Sequence, residues 1–92
     1  MKMEGHWRDT GNQYPGFAMH IGNTEMLVRA GIRCDMSVQP TKGATLNMSM
    51  NVNEWFRNPT TYDFSTDGVY IMGNMALMQK ISDNGADVFK AN

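Results

Sequence analysis

The chain has one cysteine, Cys34, and three prolines among its 92 residues. A single thiol excludes an internal disulfide, so the fold must be held by packing, and one thiol leaves the redox compartment open. Charge of one sign is missing too: eight Lys and Arg stand against nine Asp and Glu, a net of -1. With both signs interspersed there is no basic patch to attract a phosphate backbone and no acidic tail, which argues against nucleic acid as a partner. No apolar run approaches the roughly 20 residues that span a bilayer, so no membrane span is expected. No stretch reads as a signal peptide, and an export signal is expected only upstream of Met1. Leu, Ile, Val and Phe together number 16 of 92. So low a share suggests disorder when net charge is high, but here the charge is low and ten methionines make up the shortfall.

What is present is alternation. In MKMEGHWRD the apolar Met1, Met3 and Trp7 are odd-numbered while Lys2, Glu4, His6 and Arg8 are even, the period of a half-buried strand. FAMHI repeats it, with Phe17, Met19 and Ile21 on one face and Ala18 and His20 on the other. TGNQYPG between them is turn chemistry, which predicts a first hairpin. A second hairpin is expected from IRCDMSVQ and TLNMSMNVN, joined by PTKG. It would turn Ile32, Cys34, Met36 and Val38 inward against Val52, Met50, Met48 and Leu46. Met26 to Arg29 reads as a short strand or connector.

The pattern changes after Asn53, which is expected to cap a short helical turn, EWFRN, ended by Pro59. Trp55 and Phe56 would then plug one end of the sheet. VYIM reads as a short strand. NMALMQKISDNG reads as a helix capped by Asn74, apolar at Met75, Met78 and Ile81, closed at Gly85, with Val88 or Phe89 folding over its last turn. The expected fold class is therefore mainly β: antiparallel hairpins forming a half β-sandwich, with one short C-terminal helix. Residues 1-92 form a single β-rich domain, large enough to bury roughly 60–70% of its unfolded surface.

The side chains that could carry chemistry sort by phase. Most methionines fall on the apolar phase and read as core filling, a soft Cu(I) site being the alternative for one or two of them. Cys34 shares that phase and reads as a small buried hydrophobe. His6 and His20 lie on the polar phase. If the first hairpin closed at Thr10 and Gly16, they would face each other with Cβ atoms about 5 Å apart, close enough to share a metal ion. A shift of two residues would instead pair His20 with Glu4 or Arg8 and leave two surface histidines. No phosphate loop, nucleophile elbow, HExxH or paired-cysteine motif is present, and no nucleophile and base can be placed together, so no enzyme is expected. DFSTDG and DNGAD lack the ligand spacing and closing Glu of a calcium loop and read as turns and a helix cap. The sequon NMS agrees with a solvent-facing Asn47.

MKMEGHW followed by FAMHIG, then a strand running into VNEWFRNP, then IMGN and NGADVF, resembles the C-terminal half of the MbnP-like family, the methanobactin-associated periplasmic copper-binding proteins. The resemblance implies a β-sandwich that is periplasmic, cell-surface or secreted, non-catalytic, and in some members copper-binding. By position His20 carries over as a candidate copper ligand, with His6 and Trp7 beside it. The family's preceding strands have no counterpart here, so the chain would be the C-terminal part of a larger sandwich domain, with bare sheet faces and strand edges. It would pair with the missing N-terminal half of that domain or form a homo-oligomer. Two functions follow from this: an extracytoplasmic copper-binding protein, or a structural and interaction module that completes another sheet.

Overall fold

The structure, a computed structural model, describes residues 1–22 and 26–92. Among the described residues four antiparallel strands form two small sheets, and one short helix lies near the C-terminus. β1 (Lys2–His6) pairs with β2 (Gly16–His20), and β3 (Met48–Met50) pairs with β4 (Phe89–Ala91). A 3-10 turn, Val52–Phe56, follows β3, and α1 (Met75–Asn84) runs into a second 3-10 turn, Gly85–Asp87. Antiparallel strands and a short C-terminal helix are thus as expected, while the strand expected over residues 32–38 is absent and β4 lies where none was expected. Their lengths differ from expectation, because much of the chain between them is irregular. Met26 to Arg29 is a connector without strand pairing, and Met26 is buried.

The first hairpin forms in a register that the alternation alone could not select. Met3 faces Met19 and Gly5 faces Phe17. The ladder continues outward through Trp7 N–H to Pro15 O (3.1 Å) and Asp9 N–H to Gln13 O (3.0 Å). Any shift of two keeps the apolar residues on one face, so the turn decides. The Asp9 carboxylate accepts from the amides of Gly11 (2.9 Å) and Gln13 (2.8 Å), and Asn12 takes a left-handed φ of 58°. This is the tight three-residue loop of a hairpin with a bulge, which closes the chain earlier than Gly16. Gly5 suits the register: a Cβ there would lie 3.0 Å from the Phe17 ring.

The second expected hairpin does not form a ladder. β3 takes β4 as its partner, with Met48 opposite Ala91 and Met50 opposite Phe89, and Asn51 N–H to Val88 O (2.8 Å) extends the pairing. Residues 32–38 carry no strand. The PTKG turn itself is present, closed by Lys42 N–H to Gln39 O at 3.2 Å.

The core lies between the first hairpin and the C-terminal elements. Met19, Ile71 and Ile81 are fully buried, and Val88 nearly so over the end of α1. Phe17 stacks on Phe64 (centroids 4.7 Å apart), which also meets Trp7, Phe56 and Tyr62. The two ends of the chain join where Ala18 N–H donates to Val69 O (2.7 Å), the one point at which VYIM acts as a strand, bridging in parallel at Tyr70. Trp55 is buried as expected, but the turn that holds it is capped by Asn51, whose side chain accepts from Asn53 N–H. Asn74 caps α1 through Leu77 N–H (3.1 Å). Met78 and Ile81 face inward, while Met75 is exposed. Gly85 ends α1 in right-handed geometry, so its lack of a side chain serves close packing: a Cβ would sit 2.5 Å from the Trp55 ring.

Asn84 is the one fully buried polar side chain among the described residues. Its amide nitrogen donates to Trp55 O (2.9 Å) and Thr60 O (2.7 Å), and its oxygen accepts from Thr60 N–H (2.9 Å). Three backbone groups in a loop without ladder partners are satisfied by one side chain, which fixes that loop to α1.

Candidate functional site

Residues 29–47 form an arm that leaves and re-enters the body, with β3 and Val52 at its returning base. Its polar phase carries Arg33 and Asp35, paired at 3.2 Å in full solvent. Its apolar phase is uncovered: Met36, Leu46, Met48 and Val52 lie near half exposure, with Val38 at 64% and Met50 at 47%. Cys34 is exposed as well, and only Ile32 is half-buried. The residues expected to turn inward are therefore the outward-facing ones. Period-two alternation specifies an apolar face, and whether anything covers that face depends on elements far away in the chain. The radius of gyration, 16.7 Å, exceeds the roughly 12 Å of a compact chain this long, and the longest extent is 56 Å.

The same observation revises the reading of the methionines. Of ten, Met19, Met26 and Met78 are buried and Met3 is partly so, while Met1, Met36, Met48, Met50, Met72 and Met75 are each more than two-fifths exposed. Core filling explains the minority.

At the base of the arm a groove of about 460 Å³ separates the two sheets, lined by Met1, Met3, Val28, Met50, Trp55 and Phe89 among others. Val28 and Ala30 of the outgoing leg line it together with Met50 and Val52 of the returning leg. Ladder bonding to β4 uses the odd residues, as in Asn92 N–H to Asn47 O (2.9 Å), so the backbone groups of Met48 and Met50 point away from β4. By the same alternation the N–H and C=O groups of Lys2, Glu4 and His6 face the free edge of β1.

The two histidines do not meet. His20 stands opposite Lys2, and His6 opposite Gly16. Four positions along a strand separate them by about 13 Å, too far for both rings to bind one ion. The facing pair expected from a Thr10–Gly16 closure is thus corrected by the tighter Asp9–Asn12 turn. His20 Nε2 instead lies 3.3 Å from Glu4 Oε1, which also receives Lys2 Nζ at 3.1 Å. Lys2 first and His20 second hold the Glu4 carboxyl below its ordinary range. Among the described residues, no three His, Cys, Asp or Glu side chains gather as a metal donor set.

The DFSTDG loop closes on itself. Asp63 accepts from Ser65 N–H and Oγ–H, which lowers its pKa. Asp67 accepts from Asp63 N–H (2.9 Å) and pairs with Lys80 Nζ (2.9 Å), and in that order these hold its carboxyl low. The cation beside this acidic turn is the chain's own ammonium. Tyr62 donates to Gly68 O (2.6 Å), and burial pushes its pKa up to about 12.

No family model, curated protein or solved structure matches this chain.

Proposed function

We propose that this chain is a non-catalytic interaction module whose work is done by the arm, which offers an amphipathic, methionine-rich β surface to be completed by another sheet. The carrying observation is the uncovered stripe Met36, Val38, Leu46, Met48, Met50 and Val52, every member near half exposure or above. It amounts to apolar surface on the order of 500 Å², at the upper end of what monomers usually expose. Covering it is worth about 12 kcal/mol before the cost of association, enough to support a partner. Methionine suits such a surface because its unbranched thioether adapts to a facing side chain. The test is an apolar fluorescent dye together with amide hydrogen exchange on the dilute chain. Bright dye binding and fast exchange over residues 32–38 are expected, with dye binding lost in a Met36→Glu, Met48→Glu double variant of unchanged thermal midpoint. A dilute chain whose arm is protected and dark to the dye overturns the reading.

A second reading, extracytoplasmic copper binding, draws support from the groove, whose lining includes the thioethers of Met1, Met3 and Met50 together with Trp55. Soft sulfur donors suit Cu(I). The imidazoles do not fit a shared site, so His20 would contribute separately, through a ring already engaged by Glu4. Periplasmic, cell-surface or secreted location belongs to this reading and rests on the MbnP-like resemblance. Titration with Cu(I), Cu(II) and Zn(II) tests it. Stoichiometric Cu(I) binding that a Met3→Leu, Met50→Leu variant loses supports thioether ligation, and loss in His20→Ala adds the imidazole. No binding of any of the three ions by the wild-type chain sets the copper reading aside.

A further inference from the structure

We infer that the partner of the arm is a second copy of this chain, the two molecules exchanging arms reciprocally so that each arm lies across the body of the other. The inference rests on the interaction-module reading and adds the identity of the partner. Charge points to this partner. The arm carries Arg29, Arg33 and Lys42 against Asp35, a net of +2, which leaves the rest of the chain at -3. Two arms stacked face to face would bring like charge together, whereas arm on body joins opposite signs. The near-zero total of -1 gives two whole chains little long-range repulsion.

The body also offers a receiving surface. The outer face of the first hairpin holds a trough of about 600 Å³ lined by Glu4, Gly5, His6, Ala18, Val69 and Tyr70. It is open because Gly16 and Ala18 occupy the polar phase of β2, where longer side chains would otherwise fill it. Tyr70 forms a wall and is 58% exposed, a large ring without cover. An apolar stripe of alternate side chains is the shape such a trough accepts. Area favours reciprocal exchange. Counted with the base residues Met48, Met50 and Val52, two stripes and the two surfaces they cover come to at most about 2,000 Å², against the roughly 1,600 Å² of a standard stable interface. One arm docked on one body would bury only half of that. A two-fold exchange uses the same pair of surfaces twice and closes the assembly.

Sedimentation of the full chain tests the inference. A dimer is expected at high micromolar concentration, with a dissociation constant that rises about tenfold when salt is raised from dilute buffer to half-molar. Met36→Glu on the arm and Tyr70→Ser in the trough should each abolish the dimer without moving the thermal midpoint measured at a dilution where the wild type is monomeric, since both side chains are exposed in the single chain. Mixing the two variants is decisive. One retains its trough and the other its arm, so exchange predicts that the mixture regains part of the lost association through one intact contact. Failure of the mixture to associate overturns exchange, and a Tyr70→Ser dimer as tight as wild type overturns it in favour of face-to-face stacking. A wild-type monomer whose arm still binds dye and exchanges fast overturns the second copy while the module reading stands. A monomer whose arm is protected and dark overturns both.

Discussion

The body and the arm of this chain share one kind of amphipathic sequence and reach opposite ends. In the body, Met3 and Met19 alternate with polar residues and lie under the aromatic cluster of Trp7, Phe17, Phe56, Tyr62 and Phe64. In the arm, Met36, Met48 and Met50 alternate as regularly and face water. The difference is what lies opposite. The body's strands meet large aromatic rings and α1, brought from the far end of the chain and tied down by Asn84, while no described segment folds over the arm. Alternation alone makes a surface, and a covering element makes a core.

The sharpest way to break the comparison is to remove the tie. Replacing Asn84 by Leu leaves two carbonyls and one amide of the Trp55–Thr60 loop without partners in a buried site, and should cost about 3–5 kcal/mol, read as a loss of denaturant midpoint and of the near-ultraviolet signal of Trp55. Next in size is the paired truncation of two methionines. Met78→Ala in the core should cost about 2–4 kcal/mol, whereas Met48→Ala on the arm should change stability by less than about 0.5 kcal/mol. Equal costs in urea unfolding would mean that the arm is as well packed as the body. Gly85→Ala comes close behind, since Trp55 and Val28 must both move to admit a methyl group, and about 1–3 kcal/mol is expected.

The smallest effect is electrostatic. The folded Asp67 carboxyl lies below its ordinary 3.8, so its contribution is fully present above that value and is lost as pH falls through the lower folded one. Thermal midpoints should therefore drop below about pH 4, and Asp67→Asn should flatten part of that slope while leaving the arm's dye binding untouched.

Much of the body was legible because its signals are local. Asn74 three residues before Leu77, the buried ring of Trp55 and the inward phase of Met19 all follow from spacing that the chain sets for itself. The register was not legible, since shifts of two preserve every phase, and only the Asp9 side chain and the left-handed Asn12 choose among them. That choice parted the two histidines. The partner of β3 was hidden for a different reason: Phe89 to Ala91 lies about forty residues away, and no property of MSM prefers it to the nearer segment 32–38. The methionines were misread for the same cause, because the absence of a cover is not written in the strand that lacks it.

The Gln39–Lys42 turn stands at the tip of an excursion whose two roots sit within the body. Residues 1–22 and 47–92 grip each other through Ala18 and Val69, through the stacked rings of Phe17 and Phe64, and through the walls of the basal groove. A tryptic cut after Lys42 would accordingly leave a two-piece protein, its fragments still joined without a covalent link and each carrying one severed leg of the arm.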